Sequence, residues 1–260
     1  MNKQWIPNLF TLLNLFFGCI AVILILQNGI VIVNNPDGSQ YVGTPEKIWL
    51  ASLFIGLAGL VDFLDGLVAR LFKATSPMGK QLDSLADLVS FGVAPGMILY
   101  QLLRLSFAGQ EDGLDVSVVW LLPALVFPCA AAYRLARFNL DESQTYGFKG
   151  VPTPAAGLLI ASVPLISWYT TNSMVVAAIT NKWILYVLIV LLSWLMTSKL
   201  PLMALKFKDY TVRGNWPKLL LVALAVVSAV FLRWLAVPAV FIFYIIVSLA
   251  TQDGRHARRP

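Results

Sequence analysis

Charge is what this chain is short of. Asp, Glu, Lys and Arg supply only 12% of its 260 residues, against about a quarter in an ordinary soluble domain, while 58% are hydrophobic. So few charges exclude a solvated globular body, and no stretch is left over to build one. Cysteine is nearly absent as well. Cys19 and Cys129 sit alone in apolar segments without CxxC spacing, which excludes a disulfide framework or a thiolate metal site and reads as small packing residues. The one histidine, His256, lies in the polar tail GRHARRP, so any chemistry here proceeds without imidazole or thiol. The net charge of +6 brings nucleic acid to mind, but in so apolar a chain a basic surplus is topology and attraction to anionic lipid, and nucleic acid is excluded as a partner.

What is present is a series of apolar runs, each long enough to cross about 30 Å of hydrocarbon as a helix. They predict an all-α polytopic membrane protein forming one unit over 1–260. Eight spans are expected, near 9–27, 48–73, 78–104, 118–138, 155–171, 183–199, 217–232 and 235–250. The first run follows MNKQWIPN without a small-residue cleavage site and reads as a retained span. With the N-terminus inside, 15 of the 19 Lys and Arg fall at inner span ends, leaving Lys47, Arg104, Lys182 and Arg233 outside. The positive-inside rule then puts both termini in the cytoplasm. Trp5, Trp49, Trp120, Trp183 and Trp216 near span ends suit an interfacial belt, and Ser52, Gly56 and Gly59 would permit close helix approach.

Against this background VDFLDGLVAR (61–70) stands out. An ionised Asp near the bilayer centre costs about 2.5–3.5 kcal/mol even on a lenient scale, yet Asp62, Asp65, Asp83 and Asp87 occur close together. At 100° per residue Asp62 and Asp65 share one helix face, and Asp83 and Asp87 share a face of the next helix. Between them, Ser76 suits an N-cap and Pro77 a first helical turn, so the two helices make a hairpin. Counted from that turn at about 1.5 Å per residue, the acids of the first helix lie about 13–18 Å up and those of the second about 9–15 Å up, so all four can meet. Converging like charges in a low-dielectric site call for a cation, and hard oxygens without Cys or His favour Mg²⁺, Mn²⁺ or Ca²⁺ over zinc. Gly66, Ala69 and Gly79, one turn from these acids, clear volume beside them, and Arg70 at the inner mouth offers bidentate geometry for phosphate.

The spacing Asp62-x2-Asp65-Gly66-x2-Ala69-Arg70-x8-Gly79-x3-Asp83-x3-Asp87 resembles the signature of the CDP-alcohol phosphatidyltransferases, with all eight fixed positions filled over 26 residues. PNLFTLLNLFFG, SFGVAPG, RLARFN and FKGVPTPAAG further resemble the branch that makes phosphatidylserine from CDP-diacylglycerol and L-serine, so the likeness covers about the first 160 residues. The resemblance implies two divalent cations, Mg²⁺ or Mn²⁺, ligated by Asp62, Asp65, Asp83 and Asp87. Asp87 would also be the base that takes the acceptor hydroxyl proton, and CMP would leave. It further implies a homodimer. The apolar composition calls for membrane lipids as surroundings, the short chain suits a bacterial cytoplasmic membrane, and the Lys and Arg count puts the site at its cytoplasmic side.

Other residues are open to two readings. Arg134 and Arg137 fit either a pocket for the serine carboxylate or a phosphate, or positive-inside anchoring. Lys149 could meet the diphosphate or simply be a loop lysine. Asn8, Thr11 and Asn14, at i, i+3 and i+6, could contact nucleotide or serve capping and packing. Glycerol 3-phosphate, inositol phosphate and choline stand as alternative acceptors, and a cation transporter as an alternative class, since acids inside membranes often mark ion paths.

Overall fold

The computed structural model describes residues 5–27, 31–34, 40–43, 47–71, 76–109, 116–141, 147–203 and 212–256. Helix α1 (Trp5–Leu26) starts four residues before the expected span. It packs along α2 (Ile48–Leu71), and the segment between these two expected spans contains an antiparallel pair, β1 (Val31–Asn34) and β2 (Gln40–Gly43). Its β-branched VIV run favours a strand over continued helix.

The third span is one helical rod from Pro77 to Ala108, but not a uniform one. It consists of α3 (Pro77–Asp87), a π-helical segment (Leu88–Val93) and α4 (Ala94–Ala108). Pro95 has no N–H to give the Phe91 carbonyl, and its ring would crowd the turn before it, so widening the helix there relieves both problems. The π segment is the centre of the fold: Phe91 is fully buried, and α1, α5 and α6 all touch the segment. Its neighbours come close because they present small residues. A Cβ at Gly18 of α1 would collide with Ser90, and one at Gly157 of α6 would stand 2.6 Å from the Phe91 carbonyl oxygen.

The fourth span differs from the expected continuous helix. Residues Val118–Trp120 and Leu122–Leu125 are two 3₁₀ turns, and α5 begins only at Val126 and runs to Leu140, since Pro123 interrupts the earlier α-helical ladder. Then follow α6 (Thr153–Tyr169) and α7 (Ser173–Ile179), which meets α8 (Lys182–Thr197) at a 60° bend. A short antiparallel pair, β3 (Gly147–Lys149) with β4 (Pro201–Met203), ties the entry of α6 to the exit of α8. Helices α9 (Val212–Leu232) and α10 (Ala236–His256) are joined through Arg233, whose φ of 50° breaks the path.

Among the described residues, four helical stretches are long and apolar enough to cross a membrane, or five if the bent α7–α8 pair counts as one; α6 is apolar but shorter. The outer faces are hydrophobic, with Leu60, Phe63, Val190 and Phe231 all exposed, as lipid contact requires. Trp5, Trp120, Trp183 and Trp216 are exposed too, whereas Trp49 stacks on Trp168 at 6.0 Å. Two packing expectations are corrected. Cys19 and Cys129 are free and exposed, so neither fills the core. Gly56 faces open space, whereas Gly59 does approach a neighbour, the Phe91 ring. The loop acids Glu111, Asp112, Asp115 and Glu142 and the tail 257–260 lie outside the described residues.

Candidate active site

The four acids arrive on two helices, α2 and α3, and the expected turn between them, residues 72–75, lies outside the described residues. Ser76 caps α3, its hydroxyl accepting from the Gly79 backbone N–H at 3.0 Å, with Pro77 in the first turn. That start sets the rotation of α3 and carries Asp83 and Asp87 toward α2 one turn apart. One carboxylate oxygen from each of Asp62, Asp83 and Asp87 lies within 4.8 Å of the others.

Asp65 is not a fourth member of that group. It is near enough to interact electrostatically with Asp62 and Asp83, but its Oδ2 accepts the Thr11 hydroxyl hydrogen bond from α1. Its Oδ1 is buried and makes no hydrogen bond. Asp87 is held from the same helix, accepting from Asn14 Nδ2 at 3.2 Å. Helix α1 thus supplies a neutral donor to one acid of α2 and one of α3, which is how a buried cluster of like charges is kept oriented.

Beside the cluster lies a cavity of about 620 Å³, with Asp62, Asp65 and Asp83 in its wall. Asn8 and Thr11 line it from α1, Gly66 and Ala69 from α2, and Gly79 and Lys80 from α3. A Cβ added at Gly66 would meet nothing within 4 Å, so this glycine opens space and relieves no clash, whereas at Gly79 it would press on Asn8 Oδ1 at 3.2 Å. In the sequence Lys80 counts only as one of the 15 cations at inner span ends. Its exposed ammonium donates to the Asn139 carbonyl at 3.0 Å on the cavity rim, and the signal that could have found it is its place beside Gly79, one turn before Asp83.

The remaining candidates separate. Arg134, on α5, is 6% exposed, packs its guanidinium over Phe138 at 5.1 Å and interacts electrostatically with Asp87. Arg137 points elsewhere: it donates to the Thr197 and Ser198 carbonyls at 2.8 and 3.4 Å, closing the C-terminus of α8. Lys149 pairs with Asp141 at 2.8 Å, exposed, and neither it nor Arg137 lines the acid cavity. Arg70 belongs to α2, and its side chain lies outside the described residues.

Carboxylate oxygens within 4.8 Å, an unpartnered buried Asp65 Oδ1, and no sulfur or imidazole among the clustered ligand atoms make a donor set that fits hard divalent cations. With a roomy cavity alongside, the arrangement suits a substrate carrying several negative oxygens.

Comparison with known proteins bears on which substrate. A model of the CDP-alcohol phosphatidyltransferase family matches residues 4–195. The chain is 37% identical over 157 residues to the CDP-diacylglycerol–serine O-phosphatidyltransferase of Bacillus subtilis (strain 168), covering 60% of this chain and 75% of that one. It is 31% identical over 238 residues to the protein of the same name from Helicobacter pylori (strain ATCC 700392 / 26695), covering 90% and 85%. With that of Mycobacterium tuberculosis (strain ATCC 25618 / H37Rv) the identity is 27% over 242 residues, covering 88% and 71%.

Proposed function

The chain belongs to the CDP-alcohol phosphatidyltransferase family, and from that membership we propose that it is a phosphatidylserine synthase, transferring the phosphatidyl group of CDP-diacylglycerol to the hydroxyl of L-serine with release of CMP. The observation that carries the reading is the Asp62, Asp83 and Asp87 cluster, two of whose members, Asp62 and Asp83, line a cavity of about 620 Å³ beside apolar, lipid-facing helices. One substrate is dissolved in the bilayer while the other two species are polar, and a site at this boundary serves both. Family membership sets aside the ion-path reading of these acids.

Asp62, Asp65, Asp83 and Asp87 would hold two divalent cations, Mg²⁺ or Mn²⁺. When bound, these neutralise the diphosphate and stabilise charge on the departing CMP. Asp87 takes the proton from the serine hydroxyl, whose oxygen bonds to the phosphorus bearing diacylglycerol as the bond from that phosphorus to the CMP oxygen breaks. Thr11 keeps Asp65 oriented. Lys80, Asn8 and Gly79 at the rim, with Arg70, receive the nucleotide diphosphate, and Gly66 and Ala69 leave it room. Arg134 receives the serine carboxylate, having the buried position beside Asp87 that an acceptor pocket needs.

Serine is favoured over glycerol 3-phosphate or inositol phosphate because a phosphorylated acceptor would need further cations. Arg137 already serves the α8 carbonyls and Lys149 already pairs with Asp141. The reading includes eight spans in a single unit, a homodimer, and both termini and the site on the cytoplasmic side of a bacterial membrane.

Purified protein in detergent, given CDP-diacylglycerol, Mn²⁺ or Mg²⁺ and the candidate alcohols in competition, is expected to release CMP with serine. Rapid turnover with glycerol 3-phosphate and none with serine would overturn the acceptor. A second outcome concerns the room at position 66. Gly66→Leu is expected to leave the thermal unfolding temperature unchanged or raised, since glycine costs about 1 kcal/mol within a helix, while CMP release falls at least about tenfold as the side chain fills the cavity. Full activity in that variant would place the substrate elsewhere.

A further inference from the structure

We infer that Asn14 is a positioning residue whose side-chain amide fixes the Asp87 carboxylate in the orientation that faces Asp62 and Asp83. Asn14 is fully buried at the middle of α1. Its Nδ2 donates to Asp87 Oδ1 at 3.2 Å. A carboxylate has two equivalent oxygens and a soft terminal torsion, so unaided it turns freely. A donor on one oxygen removes that freedom and leaves the other for the acid cluster.

The amide cannot reverse, because turning it would set its own oxygen against the carboxylate. Asn14 Oδ1 makes no hydrogen bond, so nothing pulls the amide the other way. The backbone at Asn14 is pinned as well. Its carbonyl accepts from Ser90 Oγ at 3.0 Å, three residues beyond Asp87 and inside the π-helical segment. Gly18, one turn along α1, lets that segment come close. Asp87 and its donor are therefore set in register by two hydrogen bonds between α1 and the continuous Pro77–Ala108 rod, and a change in one is transmitted to the other. Asn14 touches no reacting atom; it acts through Asp87.

The kinetic readout rests on the proposed transfer reaction, so a second readout that does not is needed. Asn14→Leu keeps the size and branching of the side chain and removes the donor. With the full-length protein, kcat for CMP release is expected to fall about 10- to 100-fold, the usual effect of removing a group that orients a ligand. KM for CDP-diacylglycerol should stay within about twofold, since the substrate is not touched. Mn²⁺ affinity, titrated by electron paramagnetic resonance without any lipid substrate, should weaken about tenfold. Should the leucine variant fail to fold, Asn14→Ser, too short to reach Asp87, carries the same readouts. An unchanged kcat, or a raised KM at constant kcat, overturns the inference, the latter making Asn14 a substrate contact. If the wild type releases no CMP with any alcohol, the transfer reading fails by itself, and equal Mn²⁺ affinity in wild type and variant would then overturn the positioning role.

Discussion

Asp87→Asn is expected to cut CMP release by at least about a thousandfold while leaving the protein folded and still able to bind CDP-diacylglycerol. A positioned general base contributes about 10²- to 10⁴-fold, and an amide cannot take up the acceptor proton at all. Structural damage should be slight. The asparagine keeps the shape of the side chain, and its carbonyl oxygen can still accept the Asn14 amide that now reaches Asp87 at 3.2 Å. Electrostatics run in its favour: Asp87 is 8% exposed and close to Asp62 and Asp83, so removing one charge relieves repulsion in the metal-free protein. The variant should thus unfold at the same temperature as the parent or higher, the usual signature of a residue kept for chemistry at some cost to stability. CMP release and thermal unfolding measured on one preparation separate the cases. Activity within tenfold of the parent would remove Asp87 from the role of base, and a large fall in unfolding temperature would make its contribution structural.

How much of this could be read beforehand depends on which forces leave a trace in linear order. The two acid-bearing helices were legible because helical periodicity is a local property, and because Ser76 and Pro77 announce a helix start that the structure contains. The acids carry a large solvation cost, so their presence in an apolar stretch was informative before any fold was known. The π-helical segment was not legible. Periodicity over 88–93 is the same to the eye for an α- or a π-turn, and only Pro95 hinted at a break. Nor could the sequence divide four acids into a group of three and a fourth held by Thr11, since that depends on how α1 lies against α2 and α3. The cations diverged for the same reason. Arg134 and Arg137 are three residues apart on α5, yet one is buried near Asp87 and the other closes the end of α8, a neighbour that no local pattern could identify.

The importance of the π-helical segment leads to an expectation at a residue that carries no functional group. Gly157 lies on α6, and the position where a Cβ would stand is 2.6 Å from the Phe91 carbonyl oxygen and 2.9 Å from the Phe91 Cα. Both obstacles are backbone, so no rotamer change can clear them. Gly157→Ala would gain about 1 kcal/mol in helix propensity, but forcing a methyl into a packed core costs about 1–3 kcal/mol, and more where nothing can yield. The overlap is relieved only if α6 and the π-helical segment part. That segment begins at Leu88, the residue after Asp87, so the displacement passes directly to the acid cluster. A shift of about 1 Å in a catalytic group can cost about 100-fold. Gly157→Ala should therefore lower the unfolding temperature by several degrees and reduce CMP release by about 10- to 100-fold, and Gly157→Leu should not fold in detergent. Gly56→Ala is the matched control, since its Cβ would meet nothing within 4 Å and the residue faces outward; it should be as stable as the parent or more so, and fully active. If the two alanine variants behave alike, α6 does not press on the π turn and the geometry of Asp87 is set without it.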